Sequence, residues 1–376
     1  MLLAVATDDV GLMWVAIEGT TLASVFLVNF ERTRASLEAS YKYLLICSVG
    51  IALAFVGTVL VYFTDLQVFG DEAYALRWTT LMRVAPALSP RVVELAFVFL
   101  LVGYGTKAGL APMHTWLPDA HSEAPAPVSA LMSGVLLAVG VYAILRFKPL
   151  VDAASGGAFA RRLLLALGLA SMAVAAAFLW SPTNFKRMLA YSSVEHIGIV
   201  CLGLGFGGAW ALAGAVLHIA NHAFAKSALF LLAGRIRAAR GSAEIAAVAP
   251  LAASMPRTAT SFLLVLLALL GVPPFGLFVS EVMIFGGGFQ QGYRVVPLLA
   301  LALLLVAFGG MLRAGHRMLY AGAGAPDAAT RPAVAAEGGA AWLPVTAAVA
   351  LLVVSGLAWP PGLTAVLAHI ASLVAR

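Results

Sequence analysis

The stretch GYGTKAGLAPMHTWLPDAHSEAP, residues 103–125, decides the fold. It opens as an apolar helix, meets Gly109 and Pro112, and resumes with His114, Asp119, His121 and Glu123. Such a break is tolerated at membrane depth only where protein groups or water satisfy the freed backbone. A second stretch, LLGVPPFGLFVSEVMIF at 269–285, repeats the device around Pro273 and Pro274. Two broken helices in corresponding halves predict inverted repeats with a transport site between them.

The rest of the chain agrees. Of its 376 residues 62% are hydrophobic and only 11% charged, with mean hydropathy +0.97. A soluble domain carries about 25% charged residues, so much of this surface must face lipid. A spanning helix needs about 20 apolar residues. Ten stretches qualify: 11–30, 41–63, 91–112, 126–147, 161–180, 185–205, 209–234, 258–288, 294–320 and 341–358, followed by an apolar tail. The expected fold is all-α, a polytopic transmembrane helix bundle with inverted repeats. Residues 1–150 form the first repeat, 151–320 the second, and 321–376 a C-terminal loop and helices. Residues 1–7, ended by Asp8 and Asp9, are expected either to pack against another subunit or to be the visible end of a longer helix.

The net charge of +6 and the lack of a basic run with interleaved aromatics give no support for nucleic-acid binding. Sorting Lys and Arg by the alternation of spans puts twelve beside the 31–40 and 235–257 loops and nine opposite, Lys148 among the nine. The first side is expected to be cytoplasmic. Cys47 and Cys201 lie in apolar segments and read as buried small side chains. The chain has no GxxxxGK[ST], CxxC cluster or dinucleotide fingerprint. No cofactor or redox centre of its own is expected, and the energy for ion movement must come from a partner or an existing gradient.

Ionisable groups inside apolar spans are costly and point to function. Glu18, Lys107, Lys226 and Glu281 are such groups. Removal from water disfavours the charge on lysine and glutamate alike, so a Lys–Glu pair of variable separation can take up and release a proton. Glu18 and Lys107 are expected to approach within salt-bridge or one-water distance. His218, His222 and Lys226 recur at every fourth residue and share one helix face, a stripe suited to proton relay. Two histidines at that spacing could also hold zinc, but no third ligand is near in sequence, so no metal is expected. Glu195 and His196 lie deep in FKRMLAYSSVEHIG at 185–198, while Lys186 near its start suits either a relay or an interfacial anchor. His121 and Glu123 are secondary candidates, wetting the broken segment or satisfying its backbone.

At these residues a family resemblance emerges. Residues 103–147, FKRMLAYSSVEHIG, HIANHAFAKSALFLLAG at 218–234 and GVPPFGLFVSE at 271–281 resemble the antiporter-like subunits shared by complex I and membrane-bound hydrogenases. The HSEAP and SSVEHIG forms look most like the F subunit of hydrogenase-4, in the formate hydrogenlyase group. The resemblance implies an input pair at Glu18 and Lys107, a central hydrophilic axis at Lys226 and its histidines, and an output residue at Glu281. Two departures stand out. Some relatives carry a lysine or histidine in the helix after the first break, where residues 135–140 have none and Ala138 takes the position. Family members also begin with several more helices. The implied function is proton translocation in a hydrogenase or complex I-like assembly of the inner membrane, with antiporter-like paralogues and a peripheral redox arm as partners. A sodium-driven cation/proton antiporter subunit and a non-conducting scaffold for a hydrogenase arm are the alternatives.

Overall fold

A computed structural model describes residues 1–70, 75–322, 342–359 and 361–374. Residues 323–341, most of the expected C-terminal loop, and Arg376 lie outside the described residues. Among the described residues the chain is almost entirely helical, without a β-strand. The first half holds α1 (Leu2–Ala6), α2 (Val10–Val28), α3 (Arg34–Phe69), α4 (Trp78–Val84), α5 (Pro90–Ala108), α6 (Trp116–Glu123), α7 (Ala126–Leu131) and α8 (Leu137–Ser155). The second holds α9 (Ala158–Leu179), α10 (Phe185–Phe206), α11 (Gly208–Arg240), α12 (Ile245–Val248), α13 (Leu251–Ser254), α14 (Pro256–Leu269), α15 (Gly276–Gln290) and α16 (Val295–Tyr320). Helices α17 (Leu343–Leu357) and α18 (Pro361–Val374) follow.

All ten apolar stretches fall on helices, but they do not make ten spans. Eight helices or helix runs among the described residues are long and apolar enough to cross a bilayer, or nine if one bent pair counts as a span. The 258–288 stretch divides into α14 and α15, of 14 and 15 residues, and α17 also has 15. At 1.5 Å per residue such pieces reach roughly 22 Å, short of a hydrocarbon core of about 30 Å. A further bend went unread in the sequence. The α12–α13 run turns by 112° into α14 at Met255, where Pro256 starts the new helix.

The first break shows how its backbone is satisfied. Helix α5 ends at Gly109 in the left-handed conformation (φ 82°). The Leu110 amide donates to the Gly105 carbonyl at 2.8 Å, and the Ala111 amide to Ser171 Oγ of α9 at 2.9 Å. The Trp116 indole N–H donates to the Thr106 carbonyl at 2.9 Å. At the far end of α6, Ser129 Oγ donates to the His121 carbonyl at 2.9 Å. At the second break, Val272 N donates to Leu267 O at 3.1 Å. Gly356 of α17 lies so close to the Pro274 carbonyl that a side chain there has no room.

Helix α10 is the centre of the molecule. It packs against α9, α11, α6 and α15, and 94% of its apolar window is buried, against 28% for lipid-facing α16. The approach of α9 depends on paired glycines: a Cβ on Gly198 would sit 2.9 Å from the Gly168 carbonyl. Small residues at helix crossings are how membrane helices gain packing contact, since lipid offers no hydrophobic drive.

The N-terminal helix α1 is tied to the bundle by its carbonyls. Tyr142 OH donates to Val5 O at 3.2 Å and Arg146 to Thr7 O at 3.4 Å. The turn beyond it pairs with residues 76–79 through Val10 N to Leu76 O and Trp78 N to Asp8 O. Leu2, Leu3 and Val5 remain exposed.

The glycine crossing is testable. Gly198→Val places branched carbons where the Gly168 carbonyl and Ser171 stand, and overpacking of this kind costs about 1–3 kcal/mol. Thermal unfolding of the detergent-solubilised chain should show a clear fall in midpoint. An unchanged midpoint would mean that α9 and α10 do not meet this closely.

Candidate functional site

The buried titratable groups form two cells. In the first, Lys107 on α5 is 1% exposed and donates to Thr21 Oγ1 on α2 at 2.9 Å and to Tyr43 OH on α3 at 2.8 Å. Tyr43 OH also lies 2.6 Å from Ser24 Oγ. Glu18, one turn from Thr21, accepts from Ser48 Oγ at 2.8 Å, and its other oxygen has no partner. Lys107 and Glu18 lie within electrostatic range, but no carboxylate among the described residues comes within 4.0 Å of the lysine. The two groups share one cell without a direct salt bridge, the closer of the two arrangements expected. Tyr43 and Thr21, which accept from Lys107, gave no signal in the sequence.

The second cell is larger and is organised by α10 and α11. Lys186, at the start of α10, is no interfacial anchor: it is 1% exposed and donates to the carbonyls of Ser122 and Ala124, both at 2.7 Å. It borders a cavity of about 300 Å³ lined also by Glu31, Pro125 and Arg237, and Glu123 lies within electrostatic range. His121 is not at a wet mouth. It is fully buried, stacks on Phe230 at 5.0 Å, and neither ring nitrogen has a partner. Lys186 and Lys226 both lie within its electrostatic range.

The expected stripe on α11 faces α10. Lys226 donates to the Leu189 carbonyl at 2.6 Å and to the Ser192 hydroxyl. Glu195 is the carboxylate within its electrostatic range, with one oxygen unpartnered. The His222 ring lies 5.3 Å from that of His196, and its Nε2 has no partner. His196 Nδ1 meets His218 Nε2 at 2.9 Å, and His218 Nδ1 meets Ser280 Oγ of α15 at 2.9 Å.

The last hydrogen bond leads to the second break. Glu281 follows Ser280, is buried, and has one oxygen unpartnered. Its other oxygen abuts Gly271 at the break. A carboxylate oxygen of Glu281 and one ring nitrogen each of His196 and His218 all lie within 4.8 Å of one another. This grouping differs from the His218–His222 pair read from the sequence, since His196 of α10 and Glu281 of α15 join His218 and His222 does not. Glu281 also borders a cavity of about 490 Å³ between α15 and α16, whose other walls include Phe278, Leu301 and Leu305.

Other placements lie away from these two cells or were not read from the sequence. Ala138 lines an outer apolar cavity of about 480 Å³ with Val5 and Trp78. The helix after the first break meets α10 earlier, where a π-turn over Met132–Leu136 brings Ser133 Oγ to 2.9 Å from Ser193 Oγ. Lys148, counted with the loops, is 3% exposed and pairs with Asp152 at 2.5 Å. Asp65, unremarked in the sequence, is buried with both oxygens unpartnered.

Broken helices flanking a buried line of Lys, His and Glu match one family model. The model for the NADH:quinone oxidoreductase/Mrp antiporter transmembrane family matches residues 7–308. The chain belongs to this family. It is 42% identical over 312 residues to the hydrogenase-4 component F homolog of Methylacidiphilum infernorum, covering 83% of this chain. It is 34% identical over 311 residues to NADH-quinone oxidoreductase subunit N of Desulforudis audaxviator, covering 80%. The matches span 65% and 59% of those relatives' own lengths. Among solved structures, a chain of the membrane-bound sulfane sulfur reductase, an archaeal respiratory membrane complex, superposes with TM-score 0.87 at 26% identity, over 99% of this chain and 73% of that one. The protein is therefore a multi-pass membrane subunit of the antiporter-like type.

The hydrogen bonds separate structural from non-structural histidines. His218→Phe breaks two buried contacts and leaves the groups of His196 and Ser280 to find new partners, at about 1–3 kcal/mol. His121→Phe breaks none and keeps the ring stack. In detergent melts the first should unfold markedly lower than wild type and the second within a few degrees of it. Equal losses would show that His121 is held by contacts beyond its stacking.

Proposed function

We propose that the chain translocates protons as a membrane subunit of a hydrogenase-type or complex I-like respiratory assembly in the cell's inner membrane. Redox chemistry in partner subunits biases the charges at Glu18 and Lys107, and the second cell responds by moving a proton. The route runs from the cavity at Glu31, Lys186 and Arg237, past His121, to Lys226 and His222, through His196 and His218, to Glu281. The observation that carries this reading is the buried His196–His218 contact with Glu281 beside it, and Lys226, His222 and His121 within electrostatic range along the same line between two helix breaks. Residues 1–150 and 151–320 act as inverted repeats, each with one break. Antiporter-like paralogues and a peripheral redox arm are the partners.

Moving one charge against 100 mV costs about 2.3 kcal/mol, so a coupled drive is required. A second reading, cation/proton exchange, draws on the Mrp antiporters within the family. It differs in requiring sodium.

Glu281 gives the direct test. Glutamine keeps its size and hydrogen-bonding capacity but cannot titrate. In vesicles carrying the assembled complex, Glu281→Gln should leave partner redox activity partly intact. Proton uptake should fall by about tenfold or more, the scale of losing a positioned acid–base group. Uptake at wild-type level would leave Glu281 only a brace for the helix break. Uptake that follows an imposed sodium gradient would favour the antiporter reading.

A further inference from the structure

We propose that His196, His218 and Glu281 form a binding site for one divalent transition-metal ion of the zinc type. The inference stands on side-chain positions, and its three ligands are the last three groups of the proposed route, so a bound ion would occupy that route. Two imidazoles and a carboxylate are a donor set that zinc accepts with a fourth position left open. Here the three come from three helices, α10, α11 and α15, with one ligand atom of each within 4.8 Å of the others.

The histidine pair is nearly spaced for the task. Two nitrogens bound to one tetrahedral zinc at about 2.0–2.1 Å sit roughly 3.3 Å apart. His196 Nδ1 and His218 Nε2 are 2.9 Å apart, so the rings need to part by only a few tenths of an ångström. Ser280 Oγ lies 2.8 Å from the Leu277 carbonyl and 2.9 Å from His218 Nδ1. With its single proton on that carbonyl, the hydroxyl accepts from His218 Nδ1, and His218 Nε2 keeps a lone pair for a metal ion. A ligand histidine whose other nitrogen is fixed by an oxygen is the usual outer-shell pattern of metal sites.

The surroundings also suit a cation. Glu281 Oε1 and Glu195 Oε1 are buried and unpartnered, and the two carboxylates lie within electrostatic range of each other. A divalent ion would offset both charges where water cannot. His222, whose ring lies 5.3 Å from that of His196, stands outside the group of three, so the fourth position is left open. The cavity beside Glu281 provides access from between α15 and α16.

Purified full-length chain, stripped with a chelator, would be titrated with Co²⁺ and followed by its visible absorption. One equivalent should bind with the intense bands of a four- or five-coordinate site and be displaced by Zn²⁺. His196→Ala and Glu281→Gln should each weaken binding by tenfold or more. Ser280→Ala keeps all three ligands and should still weaken it by about tenfold or more, the usual effect of losing an outer-shell partner. It therefore decides the matter if a ligand variant fails to fold. The double variant His316→Ala with His369→Ala, at exposed positions, should bind as wild type does. No saturable binding by the wild-type chain, or binding that His196→Ala, Glu281→Gln and Ser280→Ala leave unchanged, would overturn the site.

Discussion

The Lys186 ammonium, buried and donating to the carbonyls of Ser122 and Ala124, is the contact on which the rest of the arrangement turns. Where helix α6 stops, its last carbonyls lack helical partners, and a buried carbonyl left unsatisfied costs several kcal/mol. A long side chain from the start of α10 satisfies two of them at once. Because Lys186 must reach α6, α10 cannot lie at the edge of the bundle. The glycines at 168 and 198 then let α9 close against it, and Ser171 of α9 reaches the Ala111 amide on the other side of the same break. One backbone interruption thus fixes the positions of three helices. Glu195 and His196, about two and a half turns further along α10, are carried into the centre as a result.

Much of this was legible in the sequence, for physical reasons that can be named. The proline–glycine interruptions at 109–112 and 271–274 could be read because no other residue types break an apolar helix so sharply. The stripe of His218, His222 and Lys226 could be read because helical spacing is local, but the sequence did not name α10 as the helix it meets. What could not be read is what long-range packing decides. The partners of these groups are mostly uncharged: Tyr43 and Thr21 for Lys107, Leu189 and Ser192 for Lys226, Ser280 for His218. Hydroxyls in apolar spans usually hydrogen-bond to their own helix's carbonyls, as Thr20 and Ser24 do here, so they carry no positional signal. His121 was misplaced because a histidine next to a break reads as wet, whereas the ring of Phe230 covers it. The bend at Met255 was hidden because the helices on both sides are apolar.

The partners of the four buried lysines also sort them. Lys148 sits on α8 beside Pro149, away from the central helices, and pairs directly with Asp152. In a low dielectric such a contact holds the charge in place, because removing the proton leaves the carboxylate uncompensated. Lys107, Lys186 and Lys226 have no carboxylate within 4.0 Å among the described residues and rest on hydroxyl and carbonyl oxygens. An amine keeps hydrogen bonds of that kind after losing a proton, since the oxygens carry no charge that must be balanced. Carboxylates stand back from each of the two central lysines, Glu18 from Lys107 and Glu195 from Lys226. A direct salt bridge would stabilise the charged lysine and resist its neutral form, whereas an ammonium resting on neutral oxygens loses no ion pair when its proton leaves. The contacts of Lys107, Lys186 and Lys226 therefore suit the proton transfer proposed for this site better than those of a static brace.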